Sequence, residues 1–357
     1  MKSNYEALGK HIRLVDYRNS EQVSNNVLGI SIDKEFMPSV ANVIGTDLSR
    51  YKLISKGLFA CNPMHVGRDE RLPIALYEKD SPAIVSPAYF MFEIIDRDVL
   101  NEEYLMMWFR RPEFDRECWF MTDGSVRGGI TWDDLCRIKL PVPSYARQCE
   151  IVESYRAITD RIDLKRAEND NLDATAQALY QEFFLNNPKT GEWSKGCIGD
   201  VLQLQRGHDL PRAEMHDGDY PVAGSTGTIG FHDQYTASAP VIVMGRSGNI
   251  GNPRLYLCNC WAHNTTLYVK QIFNADPMWV YFMLKNLNYD SFVGGSAVPT
   301  LNRNDVHAYG ITIPPLHLQK IFSEKVMKLI RLREENISEV SQLEELQSTV
   351  LATISSR

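Results

Sequence analysis

The longest ordered pattern in the chain is a pair of apolar stripes with alternating steps of four and three. The first runs through Ile151, Tyr155, Ile158, Ile162, Lys165, Asn169, Leu172, Ala176, Leu179 and Phe183. Adding 171 to each number gives Phe322, Val326, Leu329, Arg333, Asn336, Val340, Leu343, Gln347, Val350 and Ile354. Such spacing puts one side chain per 3.5 residues on a single line, the seam of a coiled coil. No Pro or Gly interrupts the first stretch between Ser144 and Asn187, or the second beyond Leu316. Each predicts a helix of about 40 residues, about 60 Å long at 1.5 Å per residue. The polar seam positions Lys165, Asn169, Arg333 and Asn336 weaken such a pairing but fix its register and partner.

The same offset of 171 relates the stretches before the two helices. Ser125 matches Ser296, Ile130 matches Leu301, Asp134 matches Asp305, Pro143 matches Pro314 and Gln148 matches Gln319. A repeat of this kind governs the architecture. Upstream of each helix lies a mixed segment. Ile74–Tyr77 and Ala88–Ile95 in the first, and Pro240–Met244, Arg254–Cys258 and Thr266–Val269 in the second, read as short strands. Asn101 predicts a helix start with Glu102 and Glu103 in its first turn, and Asp276 another with Pro277 at its first position. Asn186 to Gly191 form a stop signal.

The expected fold class is therefore α+β: two globular mixed α/β domains separated by two long antiparallel coiled-coil helices, with a pseudo-twofold internal repeat. The domains predicted are residues 1–143, a long helix over 144–187, a linker over 188–197, a second domain over 198–312 and a second long helix over 313–357. In this picture the helices act as a rigid spacer between two similar but divergent modules, an arrangement suited to a DNA site in two halves.

The net charge is −7, and no segment is basic: the balance is −3 over residues 1–143, −3 over 144–194, −1 over 195–312 and zero over 313–357. A DNA reader of this composition has to concentrate its positive charge locally or share it with partners. The seven cysteines are scattered and odd in number, which points to reduced thiols in the cytoplasm. No apolar run is long enough for a membrane span, and the N-terminus lacks the apolar core of a signal peptide.

The second module resembles the target-recognition domains of type I restriction–modification specificity subunits. The residues that carry the resemblance are Leu204, Arg206 and Gly207, then Tyr220, Pro221, Val222, Gly224 and Ser225, then Gly227, Ile229 and Gly230. They continue as Gly245 to Gly251 (GRSGNIG), Asn264 to Val269, Gly295 to Asp305 (GSAVPTLNRND) and Ile313-Pro314-Pro315 with Gln319. The first module matches mainly at Leu8-Gly9, over Gly124 to Leu135 and at its junction, and it lacks the pair of glycine-rich turns. The resemblance implies a target-recognition domain in each module, each reading one half of a bipartite double-stranded DNA site. It also implies docking of two methyltransferase subunits, with two restriction subunits joining them. S-adenosylmethionine and ATP with magnesium then belong to those partners, and this chain needs no cofactor.

The glycine-rich stretches Gly224 to Gly230 and Gly245 to Gly251 are not phosphate loops, since no helix follows; they read as tight β-turns. Around them Arg206, His208, Ser225, Thr226, Arg246, Ser247, Asn249 and Asn264 are candidate DNA contacts. Arginine can bind guanine bidentately and asparagine adenine. Ser296, Thr300, Asn302 and Arg303 are further candidates, with turn capping as the plainer role. In the first module the candidates are Arg68, Arg71, Ser125, Arg127 and Thr131, while Trp119 and Phe120 read as core.

No catalytic constellation is found. Asn62-Pro63-Met64-His65 lacks the second proline and the aromatic of an adenine-methyltransferase motif. No metal site is expected, because Cys258, Cys260 and His263 lack a fourth ligand and read as alternation along a strand. Alternatives to a type I specificity subunit are a subunit serving a fused nuclease–methylase and a coiled-coil scaffold that never reads DNA.

Overall fold

The computed structural model describes residues 5–40, 45–64, 66–122, 128–292 and 300–354. It divides the chain into two compact units, one of Met1–Leu164 with Glu339–Arg357 and one of Lys165–Ser338. Both long helices contribute to both units.

In the first unit the strands are β1 Tyr5–Ala7, β2 Ile12–Leu14, β3 Val27–Ile30, β4 Phe36–Pro38, β5 Lys52–Ile54, β6 Phe59–Cys61, β7 Ile74–Leu76, β8 Ala83–Val85, β9 Phe90–Ile94 and β10 Lys139–Pro141. They form a four-stranded sheet of order β2-β9-β6-β7, another of order β4-β3-β8-β5, and a β1-β10 pair. The short helices are α1 Val66–Asp69, α2 Glu102–Phe109, α3 Pro112–Phe120 and α4 Trp132–Arg137. The first sheet is buried on both faces. Phe59, Cys61, Phe92 and Ile94 face α2 and α3, while Ala60, Ala75 and Met91 face the second sheet. This is the period-two alternation of a strand with apolar residues on both sides.

The long helix α5, Tyr145–Tyr180, follows and ends in a wider, π-type turn over Gln181–Leu185.

The second unit repeats this plan. Its strands are β11 Ser194–Cys197, β12 Leu202–Arg206, β13 Tyr220–Gly224, β14 Gly227–His232, β15 Val241–Gly245, β16 Gly251–Tyr256, β17 Trp261–Ala262, β18 Thr266–Ile272 and β19 Gly310–Ile313, with helices α6 Ile198–Val201, α7 Pro277–Lys285, α8 Arg303–Ala308 and α9 Leu316–Thr353. The four-stranded sheet has the order β12-β18-β15-β16, the same path as β2-β9-β6-β7. A parallel contact joins β13 to β17 as one joins β3 to β8. Within the stretch expected as a linker, β11 pairs antiparallel with β19, as β1 pairs with β10. Thus the β13-β14 turn corresponds to the β3-β4 turn, and the β15-β16 turn to the β6-β7 loop.

Each long helix starts with a buried glutamine that binds its module. Gln148 is fully buried. Its amide nitrogen donates to the carbonyls of Val99 and Pro143, and its oxygen accepts the Asn101 N–H at 2.9 Å. Asn101 is in turn the N-cap of α2, accepting from Glu103 and Tyr104. Gln319, 1% exposed, donates to Pro314 O and accepts the Asp276 N–H at 2.8 Å. Asp276 is the N-cap of α7. Cap residues at helix starts leave backbone groups in need of partners, and one side-chain amide supplies both a donor and an acceptor.

The predicted seam is observed. In the first unit Ile162 and Tyr155 are buried, Thr159 accepts from Gln347 and Arg161 pairs with Glu339, and Ile354 packs with Val152 and Tyr155. Numbers rise on one helix as they fall on the other, so the pair is antiparallel. Ile151, Ile158, Val340, Leu343 and Val350 are half-buried along the same line. In the second unit Ala176, Tyr180, Phe322, Val326 and Ile330 join the core, with Leu179, Phe183 and Leu329 packed against it, and Leu172 is half-buried. The apolar stripe is wider there because Tyr180 stacks on Phe282 of α7 and Phe184 packs on Trp193 and Phe322. The polar seam residues of this unit satisfy one another. Lys165 donates to Asn336 Oδ1 at 2.7 Å, and buried Asn336 donates to Glu168 and Asn169 at 3.0 Å each. Arg333 pairs with Asp173 at 3.1 Å. Lys165 and Asn336 are mates at the repeat offset of 171.

Two expectations fail. Trp119 and Phe120 are not core: they are 44% and 86% exposed. The buried face of α3 is Phe114, Asp115 and Cys118, and the two aromatics fall just past it on the helical turn. Cys258 and Cys260 do not alternate along a strand, because β16 ends at Tyr256 and the chain bends; Cys260 makes an isolated bridge to Ala237. Among the described residues no helix is long and apolar enough to cross a membrane.

Replacing Gln319 or Gln148 by Ala strands buried backbone groups, at a cost of about 1–3 kcal/mol each. Urea unfolding is expected to show a lowered midpoint for each variant, and an unchanged midpoint would show that the glutamines are not structural ties.

Candidate nucleic-acid interface

In the second unit four turns meet at one end of the β12-β18-β15-β16 sheet. The β13-β14 hairpin presents Ser225 and Thr226 between Gly224 and Gly227, which pair in register. The β15-β16 turn presents Arg246, Ser247 and Asn249 between paired Gly245 and Gly251. His263, Asn264 and Thr265 lie between β17 and β18, and Thr300 to Asn302 lead into α8. Thr265 is the hub. Its carbonyl accepts the N–H groups of Arg246 (2.9 Å) and Ser247 (3.3 Å), and its hydroxyl accepts the Ser225 N–H at 3.3 Å. Asn249 donates to the Ser225 carbonyl at 3.3 Å. Leu301 N–H donates to the Arg246 carbonyl at 2.8 Å, and Ser247 bridges to Thr300. A side chain at Gly245 would overlap the Asn249 carbonyl, so the turn can be this tight only with glycine there.

Cations at this end among the described residues include Arg206 and Arg246, and the Arg254 guanidinium lies against Gly227 of the β13-β14 turn. Arg206, exposed, closes β12. Arg246, half-buried, opens the β15-β16 turn. Neither has a carboxylate within ion-pair distance among the described residues, and Arg246 Nε is buried with no hydrogen-bond partner among them. Burial, together with the charge of Arg206, lowers the Arg246 pKa from its ordinary value. Two like charges held near one another, one of them partly desolvated, attract an anion.

The remaining candidates divide. His208 is exposed, and its ring lies 6.2 Å from those of Trp261 and Tyr268. Asn264 binds Asp209, and Asn249 also accepts from Asn252 at 2.9 Å. Asn302 is the N-cap of α8, accepting from Asn304 at 2.9 Å; the capping role describes it. Arg303 is the exposed first residue of α8. Ser296 lies outside the described residues. Thr265 was quoted for the resemblance but was not among the candidate contacts, and its signal as a positioning residue was its place beside Asn264 in a turn between strands.

The first unit places the matching turns in the same way, with different chemistry. Ile130 N–H donates to Pro63 O at 3.1 Å, the counterpart of Leu301 with Arg246. The β6-β7 connection is a long loop holding α1. Its Arg68 is paired with Asp69 by two bonds, 2.7 and 2.8 Å, and its Arg71 pairs with Asp33 in the β3-β4 turn at 3.1 Å. Both arginines are neutralised where they stand. Thr131 caps α4, accepting the Asp134 N–H. Ser125 and Arg127 lie outside the described residues, as does His65 of the Asn62-Pro63-Met64 stretch.

Residues 190–344 match the family described as type I restriction modification DNA specificity domain. This stretch of the chain therefore carries the type I specificity domain. A curated relative is the type I restriction enzyme MjaIX specificity subunit of Methanocaldococcus jannaschii, 23% identical over 139 residues, which cover 34% of this chain and 32% of that protein. The match thus spans about a third of that relative's length. Among solved structures, the S subunit of a type I restriction-modification system from M. genitalium matches with a TM-score of 0.63 at 14% identity, over 99% of this chain and 96% of that one. A chain from a structure on complex assembly and conformational transition of the type I R-M system matches with a TM-score of 0.50 at 15% identity, over 98% and 96%. At such identities the likeness is one of fold. The family region contains the four-turn cluster but begins after the first module. That boundary agrees with the weaker resemblance of the first module and with its different turn chemistry.

One titratable group supports the site from behind. His307 Nε2 on α8 accepts the Leu204 N–H at 2.9 Å, which requires that nitrogen to be unprotonated. Burial, and then Arg303, push the His307 pKa below its ordinary value of 6.5. The unfolded chain therefore takes up a proton first as the pH falls, so this contribution to stability is complete above pH 6.5 and fades below it. Thermal melts at pH 7.5 and 5.5 are expected to show a larger loss for the native chain than for His307→Gln; equal losses would remove His307 from the account.

Proposed function

We propose that this chain is the DNA-reading subunit of a type I restriction–modification complex, with each unit reading one half of a bipartite duplex site through the turns at the end of its four-stranded sheet. The observation that carries this is the cluster joined by Thr265, where Arg206 and Arg246 have no carboxylate partner among the described residues and stand beside Ser225, Ser247 and Asn249. It answers the difficulty of a chain with net charge −7: the needed positive charge is local. Arginine supplies forked donors for guanine or phosphate, and small hydroxyls and backbone amides suit phosphate oxygens.

In this reading the chain performs no chemistry itself. It docks two methyltransferase subunits and, through them, two restriction subunits. S-adenosylmethionine and ATP with magnesium are held by those partners. The paired arginines of the first unit give it a different, less cationic face, which suits a second, unlike half-site.

Methyl-adenine mapping in the host, with and without this gene, tests the function: a split motif is expected to vanish on deletion, and an unchanged methylation pattern would favour the scaffold alternative. Arg246→Ala tests the site. In gel-shift titrations with the methyltransferase subunit present, it is expected to cost about 1–3 kcal/mol at one half-site only. Equal weakening on every sequence would make Arg246 a phosphate contact instead.

A further inference from the structure

Away from the four-turn cluster, at the open end of the β13-β14 hairpin, three donor side chains converge. His232 ends β14 opposite Tyr220. Asp233 follows it, and His216 comes from the loop before β13. His232 Nδ1 lies 3.3 Å from Asp233 Oδ1, and His216 Nδ1 lies 3.7 Å from Asp233 Oδ2. One donor atom from each residue falls within 4.8 Å of the others. A tetrahedral ion held at about 2.0–2.1 Å by nitrogen and oxygen sets its ligands roughly 3.3 Å apart, the separation that His232 and Asp233 already have.

The group is built into the fold rather than scattered on its surface. His232 is 4% exposed, with its ring set edge-on to Trp261 at 5.2 Å and 5.7 Å from that of His216. Gly218 packs so closely on the backbone of residues 232 and 233 that a side chain there would overlap it; this contact holds the His216 loop against the hairpin. The polar contacts are also in conflict as they stand. His232 Nδ1 lies 3.1 Å from the His216 backbone N–H, a donor, and also faces the Asp233 carboxylate, an acceptor, and one ring nitrogen cannot serve both. A cation between the two relieves that opposition. The released His216 amide lies on an exposed loop where water can satisfy it.

We infer that His216, His232 and Asp233 form a binding site for one divalent transition-metal ion of the zinc and cobalt class, which pins the loop before β13 to the end of the hairpin. Imidazole and carboxylate donors suit these ions. The exposed side, where His216 and Asp233 are 69% and 44% exposed, leaves room for water or an external ligand to complete the coordination. The site is separate from the DNA-reading turns and does not depend on their assignment.

Cobalt(II) and zinc(II) titration of the full, untagged chain tests this. One equivalent of cobalt is expected to give visible d–d absorption and a saturable change in tryptophan fluorescence from Trp261, both displaced by zinc. His216→Ala replaces an exposed residue and is expected to keep the fold, shown by an unchanged circular dichroism spectrum, while weakening cobalt binding on the order of tenfold or more. Asp233→Asn is expected to act likewise. Saturable binding unaffected by both substitutions, or no saturable binding of either ion, would overturn the proposal.

Discussion

A single buried side-chain amide, used twice, is the constraint on which the remaining structure depends. Gln148 and Gln319 stand where a long helix begins, and each ties that helix to the cap of a short helix in its module. Both are 1% exposed or less, so their own amide groups depend on these partners for hydrogen bonds. Losing one bond of this kind costs about 1–3 kcal/mol, a large share of the 5–15 kcal/mol that typically separates folded from unfolded chains. The tie fixes where the helix leaves the module and with it the register of the seam residues that follow. It also explains why the junctions resemble each other more than the modules do: a strand, a proline and this glutamine recur at both.

Beyond the junctions, the two units share a strand order but not a surface. The four-stranded sheet takes the same path in each, buried on both faces, and this leaves little freedom to the apolar residues along its strands. The turns at its end face no such restriction. In the second unit the β15-β16 turn is tight, glycine-bounded and cationic. In the first, the equivalent connection is long, contains a short helix and keeps its arginines bound to Asp69 and Asp33. A rigid scaffold with exchangeable turns is the common physical arrangement for recognition, and it lets one chain carry two different turn surfaces.

The long helices add specificity at some expense of stability. An apolar seam alone would tolerate sliding by a heptad. The layer of Lys165, Glu168, Asn169 and Asn336 is satisfied only in the observed register, since Asn336 is buried and uses both its oxygen and its nitrogen. A shift would leave these polar groups unpaired in a poorly hydrated place, which penalises the alternatives more than it stabilises the native pairing.

Periodicity and repetition in the sequence were enough to determine the long helices, their seam, the duplicated plan and five of the strands (β7, β9, β15, β16 and β18), because backbone hydrogen bonding turns a 3.5- or two-residue apolar period into an element with little outside help. The helix starts at Asn101 and Asp276 were likewise legible, as capping is local. What only the tertiary structure decided was which polar residues keep their charge and their freedom. Arg68, Arg71 and Arg246 look alike along the chain, yet Arg71 meets an aspartate 38 positions away and Arg246 meets another arginine. Thr265 became the hub of the site, Trp119 and Phe120 turned outward, and His216 came to lie against His232. Each outcome depends on which turns of distant strands end side by side, and strand pairing over long separations leaves no mark in the local pattern.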